Sequence, residues 1–244
     1  METNLTFVPR RTYTGLLLLG IGMVVAGIAS SAAVPASLSP NSMEQFASGA
    51  AMPPLWLTIL GCLSPIALIL EIVALFVIAS EASKFGKDTL FPVRLGSILY
   101  LVAIVLSIGA TIPLSLMIST DGSLELAVLQ STITAVISLF AILGLALAIY
   151  PYAGPLMQKL IIAVSVLQGV ATLAASSVST TGMRVTEFEI QNITRYMVQP
   201  NTSGLYPALL IAGLVCSWVL TLIVILMVVQ YSRLMKNVRT ESVA

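Results

Sequence analysis

Six apolar runs, each long enough to cross a bilayer, are separated by short stretches that hold nearly every charge. A helix rises 1.5 Å per residue, so the ~30 Å hydrocarbon layer takes about 20 apolar residues. Such runs leave a chain few choices. In lipid every backbone N–H and C=O needs a partner within the protein, and a helix supplies those partners internally. The runs place spans at 13–36, 54–80, 93–118, 126–150, 156–177 and 205–231. The fifth is interrupted by Gln158, Lys159 and Gln168, but the apolar stretch 160–175 carries it across. The expected fold is an all-α membrane protein, a single domain over 1–244 built as a bundle of six transmembrane helices. Residues 178–204 form its largest exported loop.

Composition agrees. The chain is 58% hydrophobic and 9% charged, against roughly 25% charged in soluble domains, and its mean hydropathy is +1.03. A net charge of +1 without a basic tract gives no footing for nucleic acid. The expected partners are the lipid bilayer itself and a membrane-protein partner or a second copy of the chain. Cys62 and Cys216 both lie inside apolar runs, which argues for small core residues and against an exported disulfide. There is no histidine, which removes histidine-ligated haem and every Ser-His or Cys-His mechanism. No cofactor is implied.

Lysine and arginine set the orientation, because cytoplasmic loops collect them. Arg10, Arg11, Lys84, Lys87, Arg94, Lys159, Arg233, Lys236 and Arg239 fall on one side of six spans; only Arg184 and Arg195 fall on the other. Both termini are therefore expected in the cytoplasm. A cleaved signal peptide is the rival reading of the first span, through Arg10-Arg11 and the small residues Ser31-Ala32-Ala33 and Val34-Pro35-Ala36. Its apolar core, from Leu16 to about Val34, is longer than the 7–15 residues of such peptides.

Glu71 stands alone inside the second apolar run, ~13 Å from the cytoplasmic end at 1.5 Å per residue. A charged carboxylate at depth costs a few kcal/mol or more, so this residue is protonated, paired or facing water. Ser64, Ala67, Glu71 and Ala74 follow helical spacing and put small and polar groups on one face. Depth matching offers Ser165 and Gln168 on the fifth helix and Tyr100 on the third as partners. The functional reading is an ion or proton site. The plainer reading is a neutral acid hydrogen-bonded within the bundle.

Other signals are structural. Gly22, Ala26 and Ser30, and likewise Ala208, Ala212 and Cys216, have the four-residue spacing that lets helices approach. Pro65 and Pro113 lie inside spans and predict kinks. In the 178–204 loop Phe188, Ile190, Tyr196 and Val198 share one parity, and Glu187, Glu189, Gln191 and Arg195 the other. That pattern suggests a short strand or hairpin, with an interfacial helix as the alternative. Asn192 and Asn201 head glycosylation sequons there; Asn4 heads a third that should face the cytoplasm.

No catalytic set emerges, since Asp88 and Asp121 fall in loops on opposite sides. The preferred expectation is a non-enzymatic accessory subunit or membrane organiser acting through helix packing. The first alternative is a channel or transporter built on Glu71. The second is an intramembrane lyase or cyclase using Glu71 as general acid, which would need a second acid at depth.

Overall fold

A computed structural model of the protein describes residues 10–37, 55–190, 193–199, 201 and 204–241. Among the described residues are seven α-helices: α1 (Arg10–Ser37), α2 (Leu55–Glu81), α3 (Lys87–Leu106), α4 (Ile112–Asp121), α5 (Leu124–Ile149), α6 (Pro155–Thr180) and α7 (Tyr206–Glu241). A π turn, Ser107–Thr111, joins α3 to α4, so together they make one rod. Six helical rods are thus long and apolar enough to cross a membrane. The largest loop folds into a hairpin, β1 (Arg184–Ile190) and β2 (Ile193–Gln199).

The rods form a ring. α1 packs between α2 and α7; α7 then meets α6, α6 meets α5, and α5 meets α3. A lighter contact between α2 and α3 closes the circuit. Neighbours in contact run antiparallel. Gly15 of α1 faces Ala74 and Ile78 of α2, for example, while Gly22 faces Ala67 and Glu71. The ring has two unlike halves. At the end bearing Arg11, Lys84 and Lys159 it is packed solid around Leu16, Ile78, Val93, Ile149, Ile161 and Met227. At the hairpin end the buried apolar cluster is small: Ile118, Ala127 and Met183.

Glycine sets the closest approaches. A Cβ at Gly96 would stand 2.5 Å from the Gly144 carbonyl oxygen, and one at Gly144 would stand 2.7 Å from that of Gly96. α3 and α5 therefore touch backbone to backbone. α1 uses two glycine pairs, each seven residues apart and so two turns along one face. Gly15 and Gly22 meet α2; Gly20 and Gly27 meet Val224 and Trp218 of α7. The expected ladders Gly22–Ala26–Ser30 and Ala208–Ala212–Cys216 are only partly buried: Ser30 and Ala208 are exposed.

Several boundaries differ from the apolar runs. The third rod extends to Lys87–Asp121 rather than 93–118, because backbone hydrogen bonding continues into polar ends where capping groups are available. Gly122, at φ +64°, closes the rod with its N–H on the Ile118 carbonyl at 2.9 Å. Ser123 then caps α5 by accepting from Leu126 N at 3.3 Å. Likewise α7 runs on to Glu241, past 231. Pro113 has no N–H to give the turn before it, and its ring crowds that turn. The π turn immediately upstream is the local solution, so the third rod widens there. Within it Thr111 Oγ1 donates to the Ser107 carbonyl.

The hairpin corrects the parity grouping. Its register pairs Val185 with Val198, Glu187 with Tyr196 and Phe188 with Arg195. Cross-strand partners share a face, and here even numbers pair with odd ones. Phe188 and Tyr196 therefore belong to opposite faces although their parity is the same. The two-residue connection between the strands causes the offset. Tyr196 packs on the turn after α4, where a Cβ at Gly122 would meet its ring at 2.6 Å.

Gly96→Val should lower the melting temperature in detergent, by about 1–3 kcal/mol of overpacking, because the obstruction is backbone and cannot turn aside. Gly213→Ala, where nothing stands within 4 Å, should leave melting unchanged or raised.

Candidate functional site

Glu71 is 8% exposed. Its Oε2 accepts a hydrogen bond from the Tyr100 hydroxyl. On its other side α1 presses in at Gly22, where a Cβ would stand 2.9 Å from Glu71 Cγ and 3.2 Å from the Ala67 carbonyl oxygen. The pocket for this carboxyl group is thus made by three helices. α2 supplies the acid, α3 the donor, and α1 a position with no side chain. Tyr100 is placed in turn by the glycine crossing, since a Cβ at Gly144 would stand 2.7 Å from Tyr100 N. Of the seam around Glu71, Ala67 and Ala74 are buried while Ser64 is exposed.

Of the three depth-matched partners, Tyr100 meets Glu71. Ser165 and Gln168 do not: Ser165 Oγ and Gln168 Oε1 are buried with no hydrogen-bond partner. Depth alone misplaced them because α6 is not a neighbour of α2 in the ring.

Gln168 belongs to a different feature, a cleft of about 570 Å³ at the hairpin end, between α1, α5, α6 and α7. One wall is polar, with Gln130, Thr134 and Ser138 from α5 facing Gln168, Thr172 and Ser176 from α6. The α7 side is more apolar, with Leu209, Leu210 and Leu214 alongside Tyr206 and Ser217. Met183 and Val198 of the hairpin region lie at its mouth. Neither Glu71 nor Tyr100 lines it. A second hollow, about 250 Å³, is a purely apolar groove between α1 and α7, beside Leu17, Ile21 and Val228.

The cleft's hydroxyls are mostly committed as donors. Thr134 Oγ1 donates to the Gln130 carbonyl at 2.8 Å, Ser138 Oγ to that of Thr134 at 2.8 Å, and Thr172 Oγ1 to that of Gln168 at 2.9 Å. Ser131 and Ser176 join α5 to α6 through their hydroxyls at 3.1 Å. Gln130 Nε2 reaches out of the cleft to Ser115 Oγ at 2.5 Å and the Thr111 carbonyl at 3.3 Å.

The sequence reading passed over a second buried acid. The Glu81 side chain is only 4% exposed. Arg11 Nη1 lies 3.7 Å from its Oε1 and Lys84 Nζ 2.5 Å from its Oε2. At that distance the Lys84 ammonium serves Oε2 as an ion pair. Nearby, Tyr231 donates to the Tyr152 carbonyl at 3.3 Å, and Phe85 meets the Tyr152 ring edge-on at 5.3 Å. This cluster ties the start of α1 to the end of α2, and Tyr231 of α7 to the turn after α5. The signal that could have found it was the acid at the end of the second run, flanked by Arg11 and Lys84.

Asn201 sits against the end of α6: its Nδ2 donates to the Thr181 carbonyl at 2.6 Å and its N–H to that of Ser179 at 3.1 Å. Asn192 and Asn4 lie outside the described residues. Cys62 is exposed and Cys216 buried, both as free thiols. Among the described residues no three of His, Cys, Asp and Glu gather as a metal site would need.

Three stability changes follow. Tyr100→Phe strands the Glu71 carboxyl and should cost about 1–3 kcal/mol, read as a lower melting temperature. Glu71→Gln should cost less, since an amide oxygen still accepts from Tyr100. Gln168→Leu removes an unserved buried acceptor and should raise melting, the reverse of what deleting a hydrogen-bonded glutamine does.

No protein-family model matches this chain, and no curated protein or solved structure matches it either, so its functional reading rests on the geometry of the bundle.

Proposed function

We propose that the chain is a non-enzymatic, multi-pass integral membrane protein with both termini in the cytoplasm. It acts as an accessory subunit or membrane organiser through helix packing and partner contacts. The observation that carries this reading is the situation of Glu71. The carboxyl group deepest in the bundle is buried, bonded to Tyr100 and pressed against Gly22, away from the cleft. It thus serves as a joint between α1, α2 and α3. A lyase or cyclase would need this acid facing a pocket, and a proton path would need it facing water.

A carrier is the second reading, favoured by one observation. The ring is solid at the basic end and hollow at the hairpin end, the form of a site open to one face only. In this reading the substrate site is the cleft and not Glu71.

The orientation rests on the basic residues gathered at the solid end. The hairpin is then exported, and with it two sequons. Asn192 is the better glycan acceptor, because the Asn201 amide is taken up by the Thr181 carbonyl.

Tags at both ends of the chain should be digested when the cytoplasmic face is opened to protease and protected otherwise. A protected C-terminal tag would sink the topology. In proteoliposomes carrying a pH gradient, wild type and Glu71→Gln should behave alike. A proton flux present in wild type and lost in Glu71→Gln would overturn the organiser reading. In a glycosylating host, a gel shift should vanish with Asn192→Gln and survive Asn201→Gln.

A further inference from the structure

We propose that the cleft at the hairpin end binds an uncharged polyol, such as the sugar headgroup of a neutral glycolipid. Its volume, about 570 Å³, lies within the roughly 300–1,000 Å³ of ligand pockets. Three features then define the occupant.

The first is charge. Among the described residues no Asp, Glu, Lys or Arg lines the cleft. A phosphate, carboxylate or ammonium entering it would lose water and gain no counter-charge, which is strongly unfavourable. The second is hydrogen-bond polarity. The hydroxyl hydrogens of Thr134, Ser138 and Thr172 are spent on their own helices' carbonyls. Gln130 spends its amide hydrogens on Thr111 and Ser115. What these groups still present is lone pairs. These four side chains of the polar wall therefore accept more than they give, and their complement carries several O–H donors. The third is asymmetry. Leu209, Leu210 and Leu214 face that wall, so the occupant also needs an apolar side. A sugar ring has both an edge of hydroxyls and a face of C–H groups. An alcohol offers one donor, and an alkylammonium brings an unpaired charge.

The polyol could arrive on a lipid or free in solution. The cleft lies between rods whose outer faces are apolar, which favours the lipid-borne source. Helix packing alone does not ask for such a cleft, so this inference goes beyond the organiser reading and stands apart from the fate of Glu71.

The test uses the full chain, purified in a detergent without a sugar headgroup. It is incubated with equal amounts of monoglucosyl diacylglycerol and phosphatidylcholine, stripped, and examined by native mass spectrometry. Wild type should retain the glucosyl lipid over phosphatidylcholine. The double variant Thr134→Val, Thr172→Val keeps the shape but removes two acceptor oxygens. It should lose about ten-fold of the retained glucosyl lipid, on the order expected for one or two hydrogen bonds. Thr134→Ser with Thr172→Ser should restore it, and unchanged melting of both variants shows that folding is intact. Competition by free glucose would keep the polyol chemistry and assign the soluble source; its absence assigns the lipid. Equal retention of the two lipids, or full retention in the valine variant, would overturn the proposal.

Discussion

Two helices in a bilayer gain nothing by hiding leucine from each other, because the lipid is as apolar as leucine. Van der Waals contact must do the joining, and contact is closest where no side chain intervenes. This constraint orders the whole ring. Gly96 and Gly144 let α3 and α5 meet through their backbones, and the double glycine pairs of α1 let one helix hold two neighbours. Many other large apolar residues are turned outward; Phe76, Phe91 and Val105 are each about 70% exposed, a surface suited to hydrocarbon and not to water. The polar groups follow from the same crossings. Tyr100 reaches Glu71 because α3 is fixed by its glycine contact, and Glu71 has room for its chain because α1 offers Gly22.

The polar cleft lies where no glycine crossing joins its walls. Between α5 and α6 the contact at the hairpin end is made by Ser131 and Ser176 and not by a glycine crossing. Further in, Gly169 meets Leu139, a side chain rather than a backbone. The walls therefore stand further apart there, and the space is lined by small hydroxyl residues that satisfy themselves on their own helices. Back-bonding of this kind lets serine and threonine sit in a span without a partner across the gap. The same property leaves their lone pairs facing whatever enters.

Much of the architecture was legible in the sequence because it depends on composition over many residues. Six apolar runs are a signal summed over 20 positions each, and no single exception can erase it. Glu71 was legible for the opposite reason: one acid among apolar residues is conspicuous. What was not legible depends on which helices are neighbours. Ser165 and Gln168 share a depth range with Glu71, but α6 lies across the ring from α2. Gly15 with Gly22 and Gly20 with Gly27 form faces only once α1 is known to lie between two partners. In the hairpin, alternation was visible, but parity across two strands depends on the number of residues in the turn. The offset is invisible until the register is known.

The break in the third rod shows how such a bundle absorbs a local fault. Proline at 113 removes a donor and crowds the preceding turn, so some carbonyl in a straight helix would be left bare in an apolar medium. The helix widens into the π turn Ser107–Thr111, making room for the ring. Within that turn the Thr111 hydroxyl bonds back to the Ser107 carbonyl. Gln130 extends across from α5, and its one amide nitrogen reaches both the Thr111 carbonyl and Ser115 Oγ. That reach has a further structural result. At its other end Gln130 lines the cleft, so the widened turn of the third rod and the polar wall of the cleft share a side chain. A fault in one span is thereby made into a tie between two.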